Sequence, residues 1–156
     1  PVLDNASSLN GHTVYLNPAT LDNCTVVGNT VTTNAGWAAV SAGTGSAVVN
    51  TVIAETMYAQ TGEAGRNWGG TSTLFGSCAT DDATAINETC LIGTAATFFR
   101  NYGDGNLVPA ALLIDQGEDL LNAPATDLAG KTRVQGGHID IGCYEALPLG
   151  VVIIIR

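Results

Sequence analysis

The sequence predicts an all-β protein, either a short solenoid of parallel strands or a β-sandwich. It has 19 glycines, only 12% charged residues and many Thr, Asn and Val residues, a composition that favours strands and tight turns over helices. Superposing Asn23 on Asn50 aligns Leu21 with Val48, an offset of 27 residues, and another 26 residues lead to Leu74. Runs repeated at this spacing are typical of solenoids, although these residues alone support a β-sandwich nearly as well.

The individual elements follow from local patterns. The same offset aligns Val26 with Ile53, so the two runs are predicted as successive rungs. A short strand is predicted at 13–16, and the Asn-Pro pair that follows it is expected to end it. The segment 101–106 predicts a tight turn between two short strands, because its Asp-Gly pair can adopt positive φ.

Length and charge restrict the class of protein. A chain of 156 residues forms one domain, and 46% hydrophobic residues are enough to build a core. The formal net charge is −9 with Lys131 as the only lysine, and no cluster of basic residues is present, so we expect no nucleic-acid partner. The longest apolar run, 151–155, is too short to cross a membrane. No signal peptide is visible, and the chain is interpreted as a processed piece of a secreted, extracellular or cell-surface protein.

The four cysteines contain no C-x-x-C pair, so neither a zinc site nor a thioredoxin-like motif is predicted. Cys78 and Cys90 could close a loop as a disulfide, which would stabilise the fold by roughly 3 kcal/mol. Cys24 and Cys143 are expected to be free and buried. Four cysteines allow three full pairings, and the sequence does not rank them.

No catalytic constellation is evident, and we predict a non-enzymatic protein without cofactor or bound metal. The chain has no G-x-S-x-G elbow, Walker loop or dinucleotide fingerprint, and neither histidine lies in a ligand motif. Acidic pairs such as Asp81 with Asp82 could supply acid/base groups, but five cationic residues are few for binding a uronate substrate. Trp37 and Trp68 are the candidate residues for stacking on a glycan.

The segment 127–145 is rich in charged residues, whereas the chain as a whole has few. Asp127, Arg133, Asp140 and Glu145 are separated by glycines and accompanied by Tyr144. We interpret this segment as a turn-rich closing motif in which Arg133 ties two carboxylates together.

The closing motif resembles the D-x-A-G-x-x-R…(V/I)-D-I-G-x-Y-E signature at the end of many secreted right-handed parallel β-helix proteins. These include polymorphic outer-membrane-protein-like and choice-of-anchor surface passengers. The run 23–29 is similar to the N-C-T-(I/V)-x-x-N rung of these proteins, and 49–53 resembles a following rung. The resemblance implies a short right-handed parallel β-helix over 1–145, which is the C-terminal part of such a protein, and a linker plus apolar strand over 146–156.

The predicted terminal strand consists of five β-branched residues, which favour extended structure buried on both faces: Val151, Val152, Ile153, Ile154 and Ile155. It either folds back along its own chain or is donated to the sheet edge of a neighbour. We therefore expect a structural, adhesin-like module that self-assembles end to end as a homo-oligomer or filament, or that continues a longer β-helix. The alternative is a module that binds or degrades a polysaccharide.

Overall fold

The computed structural model describes residues 2–3, 12–31, 37–72, 74–82, 90–121 and 123–147. This part of the chain is all-β with few helices, as the sequence predicts, and its strands pair in parallel within sheets. The arrangement is compatible with a parallel β solenoid. It does not fit the β-sandwich alternative, because the sheets of a sandwich are antiparallel.

The strands are short and fall into three similar sets, which we call repeats A, B and C. Repeat A holds β2 (Val14–Leu16), β3 (Thr20–Asp22), β4 (Thr25–Val27) and β5 (Thr30–Val31), and follows β1 (Val2–Leu3). Repeat B holds β6 (Val40–Ala42), β7 (Ala47–Val49), β8 (Val52–Ala54) and β9 (Met57–Tyr58). Repeat C holds β10 (Trp68–Gly70), β11 (Leu74–Gly76) and β12 (Ala79–Thr80), and β13 (Leu91–Ile92) comes after it.

Equivalent strands of successive repeats lie side by side. The sheets run β1-β4-β8-β12-β13, β2-β6-β10, β3-β7-β11 and β5-β9. The predicted pairing of Leu21 with Val48 is confirmed, as is that of Val26 with Ile53. The next pairing is wrong by one residue, because Val48 lies opposite Phe75 and not Leu74. A shift of one residue turns the opposite face of a strand inward, and Phe75 is 7% exposed.

A left-handed residue makes the corner between the second and third strands of each repeat. Asn23, Asn50 and Ser77 occupy equivalent positions with φ of 49°, 49° and 45°. Asparagine tolerates this conformation better than most residues, because its short polar side chain bonds locally. Asn50 Nδ2 also donates to Asn23 Oδ1 at 3.3 Å. The recurring Asn of the sequence repeat is therefore a corner residue.

The inner core lies between the sheets. Val26 and Ile53 of the five-stranded sheet point into it, where they meet Val40, Val48 and Trp68 from the three-stranded sheets. Neighbouring strand residues point to opposite faces, so each short strand contributes one or two side chains to this core.

The outer face of the five-stranded sheet is also apolar and buried. Val27, Val52 and Ala54 point away from the inner core and contact residues of the segment 90–147, which we call the outer layer. The outer layer contributes Phe98, Phe99, Leu107, Leu113 and Ile141 to this second cluster. It therefore covers the side of the stacked repeats.

The outer layer contains little regular structure. It has one short helix, α1 (Ala95–Phe98), and a 3₁₀ turn at Tyr102–Asp104. The turn lies where the sequence predicts one, and Gly105 has a φ of 72°. On either side of it, Arg100 N donates to Val108 O at 3.0 Å and Ala110 N donates to Phe98 O at 2.8 Å.

The inner core gives a direct test of packing. Ile53 is fully buried, whereas Ile92 on β13 is 52% exposed. We expect Ile53→Val to lower the free energy of unfolding by about 0.5–1.5 kcal/mol, because a methylene group is lost from a close-packed site. The matched change Ile92→Val should alter it by less than about 0.5 kcal/mol. Urea denaturation measures both, and equal effects would contradict this core.

Candidate functional site

Four charged residues of the closing motif are buried in the outer layer. Asp127 and Arg133 are 6% and 5% exposed, and Asp140 and Glu145 are each 1% exposed. Tyr144 is half-buried and packs against the apolar cluster under the layer. Charged side chains are rarely buried this deeply without partners, so their contacts decide what the motif does.

Arg133 contacts one carboxylate. Its Nη1 atom lies 3.3 Å from Glu145 Oε1 and also donates to Gly142 O at 3.3 Å. The expectation that Arg133 bridges two carboxylates is therefore corrected for the described residues, since its second partner is a backbone carbonyl. A second carboxylate feels its charge at longer range: burial raises the pKa of Asp22, and the charge of Arg133 offsets part of that rise.

Asp127 holds the chain turn that precedes Arg133. Asp127 Oδ1 accepts from Ala129 N at 2.9 Å and from Lys131 N at 2.8 Å, and Oδ2 accepts from Glu145 N at 2.9 Å. Burial alone would raise the pKa of Asp127, but these backbone donors outweigh it and lower the pKa below its ordinary value. Asp127 thus joins the two ends of the closing motif.

Asp140 likewise joins two segments of the outer layer, one at Asp115 and one at Ala146. Its Oδ1 atom accepts from Asp115 N at 2.8 Å and its Oδ2 atom accepts from Ala146 N at 2.7 Å. Burial raises the pKa of Asp140 in spite of these donors. The nearby Asp115, itself at φ 56°, accepts from Gly137 N and His138 N through Oδ1, at 2.7 and 3.0 Å.

Glu145 is the carboxylate most affected by its surroundings. Burial, followed by the nearby carboxylate of Asp140, raises the pKa of Glu145 to about 7. The N–H of Asp140 and the guanidinium of Arg133 lower it by less than burial raises it. A proton is therefore exchanged near neutral pH inside the closing motif.

One residue of the repeats fastens the outer layer. Asn50 Nδ2 donates to Glu118 O at 2.8 Å, Asn50 Oδ1 accepts from Glu118 N at 2.7 Å, and Asn50 O accepts from Gly142 N at 2.9 Å. A Cβ atom at Gly117 would lie 2.7 Å from Ile139 O, so the approach requires glycine. The sequence repeat identified Asn50, but nothing in the repeat predicted this contact with a segment 68 residues away.

No disulfide joins the four cysteines, so the predicted bond between Cys78 and Cys90 is not present. The two residues directly precede the paired strands β12 and β13, and Leu91 N donates to Cys78 O at 2.8 Å. The side-chain hydrogen bond with Cys90, together with burial, raises the pKa of Cys78. Cys78 is buried in the inner core and the half-buried Cys90 packs against it, both as small apolar groups.

The tryptophans differ in exposure. Trp68 is 4% exposed and packs edge-on against Phe75, with ring centroids 4.8 Å apart. Its ring face is therefore not available as the exposed glycan platform that the sequence suggested. Trp37 is half-buried and packs edge-on against His12 at 4.8 Å. A stacking role for Trp37 stays a prediction.

The first strand of repeat A lies at a sheet edge. Val14 N donates to Ala39 O at 2.8 Å and Leu16 O accepts from Gly43 N at 2.9 Å, so both residues face β6. Peptide groups alternate in direction along a strand, and those of Tyr15 therefore face away from β6. No strand within the described residues pairs with this edge.

The inner core is incompletely covered at the same end. Val14 and Leu21 are only half-buried, whereas their partners in repeat B, Val40 and Val48, are 1% and 0% exposed. On the adjacent sheet, β1 already extends the ladder beyond β4. Repeat A thus presents two features at the same end: the half-buried apolar side chains, and the peptide groups of Tyr15 that face away from β6.

One predicted element lies outside the described part. The apolar strand 151–155 falls outside it, so the division of the chain near residue 146 stays a prediction. Among the described residues, no group of three or more His, Cys, Asp or Glu side chains is placed to hold a metal ion. In the same ranges, no helix has both the length and the apolar character needed to cross a membrane.

Comparisons with known proteins found no matching family model, no similar curated protein and no matching solved structure.

The raised pKa of Glu145 predicts a specific dependence of stability on pH. Because the folded protein binds this proton more tightly than the unfolded chain, the stabilisation is present below pH about 4.5 and is lost as pH rises through about 7. Glu145→Gln should remove this contribution, so its stability relative to the wild type should rise between about pH 5 and pH 8, by on the order of 1 kcal/mol per unit of pKa shift.

Urea denaturation at several pH values measures the difference. The lowered pKa of Asp127 acts at more acidic pH than this comparison covers. Parallel stability profiles for the two proteins would rule out a Glu145 that titrates near neutrality.

Proposed function

We propose that this chain is the C-terminal part of a right-handed parallel β-helix with a structural, adhesin-like role outside the cell, and that copies of it assemble end to end. The paired repeats with an offset of about 27 residues support the solenoid. The right hand follows from the strong preference of parallel strand crossovers for that hand. The scarcity of lysine and the closing motif support the secreted setting.

The open end of repeat A is the observation that carries the proposed assembly. The peptide groups of Tyr15 are directed outward, and Val14 and Leu21 are left half-buried beside them. A parallel strand added there would continue a ladder that β1 has already extended on the neighbouring sheet. The added strand would also cover the apolar ends of the inner core.

The proposed occupant is the segment 151–155 of a second copy. Its side chains are apolar on both faces, which suits a strand that lies between a core and another molecule. A contact between two different surfaces of the same molecule repeats from copy to copy, and it gives a filament unless the rotation closes a ring. Assembly of this kind uses backbone pairing and apolar burial, and needs no cofactor or catalytic group.

Substitution of Tyr15 tests the assembly with a matched control. Tyr15→Pro removes an N–H that faces away from β6, so it blocks an incoming strand without breaking a bond of the ladder. Tyr15→Thr removes the same ring and keeps the N–H. We expect filaments for the wild type and for Tyr15→Thr, and association at least about tenfold weaker for Tyr15→Pro and for deletion of 151–156.

Light scattering across a concentration series and negative-stain electron microscopy measure the assembly, while circular dichroism confirms that each variant folds. A wild type that is monomeric at every concentration would refute the proposed function. Filaments of Tyr15→Pro equal to those of the wild type would refute the acceptor edge.

A further inference from the structure

Two adjoining cavities lie beside β10, away from the proposed assembly edge. The larger has a volume of about 430 Å³ and the smaller about 250 Å³, and Arg66 and Asp82 line both. Their combined size falls within the range of small-molecule sites in proteins. Trp68 and Phe75 contribute to the wall of the smaller cavity.

Two buried side chains in the wall of the larger cavity have unused hydrogen-bonding capacity. Asn67 is 1% exposed, and its Oδ1 atom has no hydrogen-bond partner. Thr56 is 3% exposed, and its Oγ1 atom is equally without a partner. Buried polar groups are nearly always paired, so a group that reaches these two atoms would complete their hydrogen bonding.

The same wall is held rigidly. Asn67 Nδ2 donates to Thr80 Oγ1 and to Asp81 Oδ1, both at 2.7 Å. Asp81 Oδ2 accepts from Glu55 N at 2.9 Å. These bonds fix the amide and the carboxylate before any ligand enters, which lowers the entropic cost of binding.

The charges of the lining residues indicate the class of ligand. Asp81 and Asp82 disfavour an anion, and Arg66 disfavours a simple cation. A neutral ligand with several hydroxyl groups suits lining residues of both charges, since each hydroxyl can donate to a carboxylate and accept from a guanidinium.

We propose that this cleft binds a neutral saccharide unit, with Arg66 and Asp82 at its mouth and Asn67 and Thr56 in its wall. The cleft gives the module a ligand site that does not depend on end-to-end assembly.

Saturation-transfer NMR with the methyl glycosides of glucose, galactose, mannose and N-acetylglucosamine as probes tests the proposal. We expect at least one glycoside to bind the wild type, and its affinity to fall at least about tenfold in Arg66→Ala and in Asp82→Asn. The control variants Lys131→Ala and Asp104→Asn remove equivalent charges outside the cleft and should bind as the wild type does.

The outcomes separate this site from the assembly. Tyr15→Pro should keep the saccharide signal whether or not it forms filaments. The proposal is overturned if none of the four glycosides binds, or if binding is the same in Arg66→Ala and Asp82→Asn as in the controls. Loss of binding in an Asp82→Asn protein with unchanged circular dichroism excludes unfolding as the cause.

Discussion

Strands β4 and β8 of the five-stranded sheet are buried on both faces, and the rest of the structure depends on this constraint. Val26 and Ile53 require an inner core on one side, while Val52 and Ala54 require a cover on the other. Stacked repeats supply the inner core, since each repeat shields the apolar side chains of the next. They cannot supply the cover, so the outer layer must fold back along the side of the stack.

The outer layer has few strand ladders, so its backbone N–H groups need other hydrogen-bond partners. Carboxylates take the place of strand partners by accepting N–H groups from distant segments. Asp127 accepts from Glu145 N, Asp140 accepts from Asp115 N and Ala146 N, and Asp115 accepts from Gly137 N. Bonds between backbone donors and ionised acceptors are stronger than neutral ones, which suits a layer without regular structure. The closing motif therefore holds the outer layer against the side of the repeats, and no strand among the described residues covers the edge of β2 in repeat A.

Much of this architecture was predictable from local sequence, and the remainder depends on contacts over long distances. The 27-residue offset predicted the pairing of Leu21 with Val48, because repeats A and B have an Asn corner in the same place. The error at Phe75 arose because similarity of three apolar runs fixes a register only to within one residue. The burial of Trp68 and the role of Asn50 could not be predicted, since the first depends on the neighbouring repeat and the second on Glu118 far along the chain.

Native-state hydrogen exchange tests most directly whether the outer layer and the sheet form one cooperative unit. If the carboxylates fasten the layer as described, the amides of Glu145, Asp115 and Ala146 should open together with those of β8, with similar free energies of opening. Outer-layer amides that exchange several orders of magnitude faster than the amides of β8 would show that the sheet is stable without its cover, and would contradict this account.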